Sequence, residues 1–265
     1  MDVKVMGTAL LVLSMTGPAV AHAATGSTVD DVVAVQATSP ASSADKTISV
    51  SCPDGTKVVG TGGSVTGERT TITRVRPSDD LTSVEVTAVE HGTGTVQPWT
   101  VKVRANCAPG EFTLVSKSGT KNAEASCPAE QRTLGVAGET EGVHLTRLAP
   151  KTNLKGALVE APGTATVTAY AICGSRPGLV LRGGTSSIML SKTGSKSVAC
   201  QGDEQVISAG GAVGGAVIDD VEPVGPVAIV SGEAAEGQAI RWSITPYVVC
   251  SQRTGAGRPR SRASA

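Results

Sequence analysis

The sequence predicts an all-β chain in which three pseudo-repeats, of about four to five strands each, share one threefold, β-prism-like domain. Three observations predict it. A cysteine-led, glycine-rich stretch recurs as SCPDGTKVVGTGGSV (51–65), SCPAEQRTLGVAGET (126–140) and ACQGDEQVISAGGAV (199–213), with Gly63, Gly138 and Gly211 each eleven residues after the cysteine. Gly, Ser, Thr, Val and Ala dominate, a mix that favours short strands and many turns over long helices. The only aromatics are Trp99, Phe112, Tyr170, Trp242 and Tyr247, too few for each unit of about 70 residues to fill a core of its own. Tandem small β-sandwiches are the alternative. An immunoglobulin-type sandwich expects a tryptophan between its cysteines on an early strand. Here Trp99 and Trp242 stand eight residues before the second cysteine of their units, on the closing strand.

Taken in order, residues 1–23 read as a secretory signal peptide: Lys4, then an apolar run from Val5 to Met15, then the small residues Ala21-His22-Ala23. That run is shorter than the ~20 residues of a membrane span, and no later stretch is a candidate. Residues 24–31 form a polar leader, and 32–250 the repeat domain, with units at about 32–110, 111–178 and 179–250. After each glycine-rich strand comes Ile72-Thr-Arg-Val-Arg-Pro77, Leu145-Thr-Arg-Leu-Ala-Pro150 or Ile218-Asp-Asp-Val-Glu-Pro223. Proline donates nothing to a ladder, so it marks a strand end. Each unit closes on a strand ending in cysteine: Trp99 to Cys107, Ala165 to Cys173, Trp242 to Cys250. Alternation puts Trp99, Val101, Val103, Ala105 and Cys107 on one face. It sets Trp242 with its cysteine, toward the core, and Tyr170 and Tyr247 on the opposite face. Pro246 predicts an edge or bulge in the third closing strand. Residues 251–265, with Arg253, Arg258, Arg260 and Arg262, form a basic tail of disordered composition.

The six cysteines lack zinc-site spacing, so export and an oxidising compartment point to disulfides. Pairing within units, Cys52–Cys107, Cys127–Cys173 and Cys200–Cys250, is the simplest scheme. Joining neighbours, Cys107 to Cys127 and Cys173 to Cys200, is the other.

The cysteine-bracketed units resemble a repeat of secreted actinobacterial proteins. The likeness rests on Cys52-Pro-Asp-Gly-Thr-Lys-Val-Val-Gly60 and on the Tyr170-Ala-Ile-Cys173 ending. Unit 3 departs from it, with Gln201 for the proline. Threefold symmetry of such units is also similar to the β-prism of vitelline membrane outer layer protein. Neither resemblance implies catalytic residues.

Chemistry is sparse. His91 in a glycine-flanked turn and His144 on a strand have no metal-spaced companions and read as surface residues. Gly60-Thr-Gly-Gly-Ser lacks the lysine and helix of a phosphate loop. Asp79-Asp80 and Asp219-Asp220 are adjacent, so on a regular strand each pair splits between opposite faces and does not form the facing carboxylates of a glycosidase. No catalytic residue, metal ligand or cofactor is expected. With 23 basic and 23 acidic residues, nothing points to nucleic acid. The expectation is a secreted, non-enzymatic protein of the cell surface or surroundings that binds carbohydrate or cell-wall polymer, with Tyr170 and Tyr247 as candidate ligand-facing residues. A structural matrix protein is the alternative, and an enzyme acting on glycans a third reading.

Overall fold

The structure, a computed structural model, describes residues 32–253 except 236, 238 and 239. The segments read from the sequence as signal peptide (1–23) and leader (24–31), and residues 254–265 of the expected tail, lie outside the described residues; Ser251 and Gln252, expected in the tail, instead end the last strand, with Ser251 buried. Unit 1 supplies β1 (Val33–Thr38), β2 (Lys46–Ser51), β3 (Lys57–Thr66), β4 (Thr70–Pro77), β5 (Ser83–Glu90) and β6 (Thr100–Ala108). Unit 2 supplies β7 (Thr113–Thr120), β8 (Asn122–Ser126), β9 (Arg132–Thr140), β10 (Arg147–Pro150), β11 (Gly156–Glu160) and β12 (Thr166–Gly174). Unit 3 supplies β13 (Val180–Gly183), β14 (Ser187–Met189), β15 (Thr193–Ala199), β16 (Glu204–Gly214), β17 (Ala216–Val224), β18 (Val227–Ala234) and β19 (Trp242–Gln252). The sequence underestimates the strand count because it passes over β5, β11 and β18. Val84, Val86 and Ala88 carry the alternation that marks β5.

No unit owns a sheet. Sheet I runs β1-β6-β3-β17-β18-β15, sheet II runs β2-β5-β4-β9-β12-β7, and sheet III runs β13-β19-β16-β10-β11-β8 with β14 also on β19. Each sheet therefore joins strands of two units, three and three in sheets I and II and four and three in sheet III, cyclically, and the tandem-sandwich arrangement does not occur. The seams between units are short: Gly63↔Val221 and Ser64↔Asp220, Gly138↔Val75 and Glu139↔Arg74, Gly211↔Leu148 and Ala212↔Arg147. The repeated glycine thus pairs with the apolar residue two before each proline. A β-carbon there would meet Val86 at 3.0 Å, Val159 at 2.7 Å and Val230 at 2.5 Å respectively. Those valines belong to the next sheet, so the missing side chain is what lets the three sheets close on one core.

Seven residues after each opening cysteine stands a bulge, at Val59, Leu134 and Ile207. The extra residue turns inward, and the three gather with Ala108, Leu154 and Val249 in an apolar cap on the cysteine side of the main core. At the other level Leu145 N–H donates to Ile72 O (3.4 Å), Ile218 N–H to Leu145 O (3.3 Å) and Thr71 Oγ1 to Ile218 O (2.9 Å), which links the three units in a ring. Trp99 and Trp242 are fully buried, each satisfied at its ring nitrogen, by Glu90 (3.2 Å) and Ser191 O (2.7 Å). Pro246 is not on an edge strand. It pairs with Gly211 on one side and faces the gap between β13 and β14 on the other, where the absent N–H costs nothing.

The six cysteines form Cys52–Cys107, Cys127–Cys173 and Cys200–Cys250. Among the described residues no helix is long and apolar enough to cross a membrane.

Candidate functional site

Charge distinguishes the seams. In sheet II, β4 is basic: Arg74 Nε lies 2.8 Å from Glu139 of β9, and Arg76 adds a second contact. In sheet I the signs are reversed. Glu222 of β17 takes Arg104 (3.1 Å) and Lys102 (3.7 Å) of β6 and the Ser64 hydroxyl (2.8 Å). Swapping the two seams would set Arg74 and Arg76 against Lys102 and Arg104, so like-charge repulsion helps specify which units pair.

Sheets I and III meet, between units 1 and 3, at a groove of about 420 Å³. That lies within the range of small-ligand sites, about 300–1,000 Å³. Its polar lining is Arg104, Asn106, Glu204, Gln205 and Arg253, and Val32, Ala34, Val206, Pro223 and Pro226 give it apolar walls. The side chains are held from behind. Asn106 donates to Val206 O (3.1 Å) and Ile207 O (3.0 Å), at the bulge. Glu204 accepts two hydrogen bonds from Arg182 (2.7 and 2.5 Å), which keep its carboxyl below the ordinary range. The groove therefore presents planar hydrogen-bonding groups in fixed positions.

The opposite end holds a smaller chamber of about 80 Å³, lined by Arg69, His91, Lys192, Glu233 and Ala234. It has room for a few waters. Glu233 is 3% exposed and is held by Lys192 (3.2 Å) and the Arg69 N–H (3.1 Å). The structure corrects two expectations here. His144 lies in the loop before β10, not on a strand, and is half-buried; burial, then nearby His91, lowers its pKa. Asp219 and Asp220 are not split by regular alternation, because β17 carries a bulge between Ile218 and Asp220. Asp79-Asp80 sits in an exposed turn, where the Ser78 hydroxyl, then Thr82, hold the Asp80 carboxyl down to about 2.

Tyr170 and Tyr247 line neither concavity. They and Arg104 occupy equivalent places, three residues before the closing cysteine. Tyr170 is 5% exposed, with its hydroxyl donating to Glu139 and Arg76 over its ring at 5.7 Å. Burial, then Glu139, pushes the phenol pKa far up. Tyr170→Phe is expected to cost about 1.5–3 kcal/mol of stability, read by urea unfolding, because it strips a charge-assisted bond from Glu139. A neutral result would show that Arg74 and Arg76 satisfy that carboxylate without the phenol. Tyr247 is half-buried beside Gly183 and Gly184.

Cys200, Glu204 and Cys250 cluster at metal-ligand separation, but both sulfurs are spent in the disulfide. The groove is lined by residues from both ends of the domain sequence, and only the repeat-equivalence of Arg104 with the two tyrosines hinted at it. The chain matches no protein-family model and no curated protein.

Proposed function

We propose that this is an extracellular, non-enzymatic binding module that takes a segment of polysaccharide or cell-wall polymer in the groove between sheets I and III. The observation that carries the reading is the lining. Guanidinium, amide and carboxylate groups stand pre-positioned beside apolar walls in about 420 Å³, and such planar groups match the paired hydroxyls of a sugar. Three disulfides suit an oxidising compartment, and the signal-peptide reading of residues 1–23 agrees with export. At about 80 Å³ the opposite chamber is too small for a sugar ring, which weighs against glycan chemistry there.

The test is co-sedimentation of the chain from residue 24 onward with insoluble peptidoglycan, chitin and cellulose, at low and high salt. Ala34 is exposed on edge strand β1, so Ala34→Trp fills the groove from outside. Binding is expected to survive salt and removal of residues 254–265, and to fall at least about tenfold with Ala34→Trp at unchanged Tm. Binding that disappears with salt or with the tail would reduce the interaction to charge attraction. Equal binding by Ala34→Trp would place the site elsewhere.

A further inference from the structure

One residue breaks the threefold pattern where the units are joined. The position after Ile72, Leu145 and Ile218 is Thr73 in unit 1, Thr146 in unit 2 and Asp219 in unit 3. Asp219 is the bulged residue of β17, next to the ring of hydrogen bonds that ties the units together. Its Oδ1 is completely buried and has no hydrogen-bond partner. The residue after it, Asp220, belongs to the seam with unit 1, where it faces Ser64 and accepts from the Val65 N–H at 3.2 Å. That seam has only two paired positions.

The charged groups around this point come from every neighbouring element. Asp220 lies on β17 itself and Glu233 on β18. Lys102 and Arg104 of β6 are engaged with Glu222. Lys192, before β15, is engaged with Glu233 and Glu68. Arg69 lies between β3 and β4, His91 follows β5, and His144 precedes β10. The cations nearest the acids thus already have partners, while Asp219 faces two like-charged neighbours. A carboxylate set among like charges with a buried oxygen that lacks a hydrogen bond is costly, and the neutral acid costs far less.

We propose that Asp219 is a proton-operated lock at the bulge where β17 meets β18: protonated, it lets the two strands pair closely; ionised, it repels Glu233 of β18 and strains that pairing. Burial first, then Asp220 and Glu233, raise its pKa well above the ordinary carboxylate range. The sign follows. Above about pH 4 the unfolded chain has released this proton while the folded chain still holds it, so stability falls as pH rises through that window until Asp219 ionises in place. His144 acts in the opposite sense. Its lowered pKa means that the unfolded chain takes up a proton first, below about pH 6.5, so it removes stability as pH falls. Comparing wild type with an Asp219 variant cancels the histidine contribution. The lock does not depend on what the groove binds, although β17 runs from Asp219 to Pro223 at the groove wall.

The experiment is thermal unfolding, with residue-resolved amide exchange, of the chain from residue 24 onward as wild type, Asp219→Asn and Asp219→Thr, between pH 4 and 8. Threonine restores the residue of the other two units, and asparagine keeps the shape if threonine does not fold. Both variants should match wild type at pH 4 and exceed it by about 2–4 °C in Tm at pH 7.5. In wild type alone, exchange at Asp220, Ser231 and Gly232, which flank the bulge, should accelerate on raising the pH by roughly tenfold beyond the chemical pH dependence. Parallel Tm curves for wild type and variants, or variants less stable at pH 7.5, would overturn the lock.

Discussion

A Gly60→Ala chain is expected not to fold. A β-carbon on Gly60 would lie 1.8 Å from the carbonyl oxygen of Ile207, and one on the equivalent Gly135 would lie 2.5 Å from that of Val59. Both obstacles are backbone, at the bulges where β3, β9 and β16 converge, so no side chain can rotate away. Relief requires separating the strands that carry the apolar cap. The cost should exceed about 4 kcal/mol, a large part of the ~5–15 kcal/mol that stabilises a typical domain. Unit 3 supplies the control. It carries Ser208 at the corresponding place, so a β-carbon is already accommodated there, and Ser208→Ala should cost no more than about 1 kcal/mol. Recovery of oxidised protein and the urea midpoint by circular dichroism measure both. A Gly60→Ala chain with a near-native midpoint would show that the strands do not need this approach.

Full reduction is the second large effect. The disulfides do not merely close units. Cys52 follows β2 in sheet II and bonds Cys107 of β6 in sheet I; Cys127 follows β8 in sheet III and bonds Cys173 of β12 in sheet II; Cys200 follows β15 in sheet I and bonds Cys250 of β19 in sheet III. Each bridge therefore ties one sheet to the next, and the three complete the circuit. With separations of 55, 46 and 50 residues, each should contribute about 4 kcal/mol on chain-entropy grounds. Three such losses reach the whole stability of an ordinary domain. The fully reduced chain should be unfolded at neutral pH, and a Cys127→Ser/Cys173→Ser chain should remain folded with a lower urea midpoint. Circular dichroism beside thiol labelling reads both states. A fully reduced chain with native strand content would mean that seams and core suffice.

Much of this architecture is local information repeated three times. The cysteine, the glycine at eleven and the proline-ended strand each state a requirement of the backbone or of one buried face. Those requirements act over a few residues, so they are visible as spacing. The burial of Trp99 and Trp242 followed from alternation for the same reason. The bulge at Asp219 did not, because one extra residue shifts a strand's phase without any marker in composition.

By itself, then, the sequence determined the all-β class, the threefold repeat and the burial of Trp99 and Trp242, all consequences of short-range stereochemistry and periodicity, while the burial of Tyr170 escaped it. Only the tertiary structure decided which units share a sheet, where the groove opens and which acid lacks a partner. These depend on contacts between residues such as Arg104 and Glu222, 118 positions apart, whose pairing is selected by the closure of three sheets on one core and by no pattern along the chain.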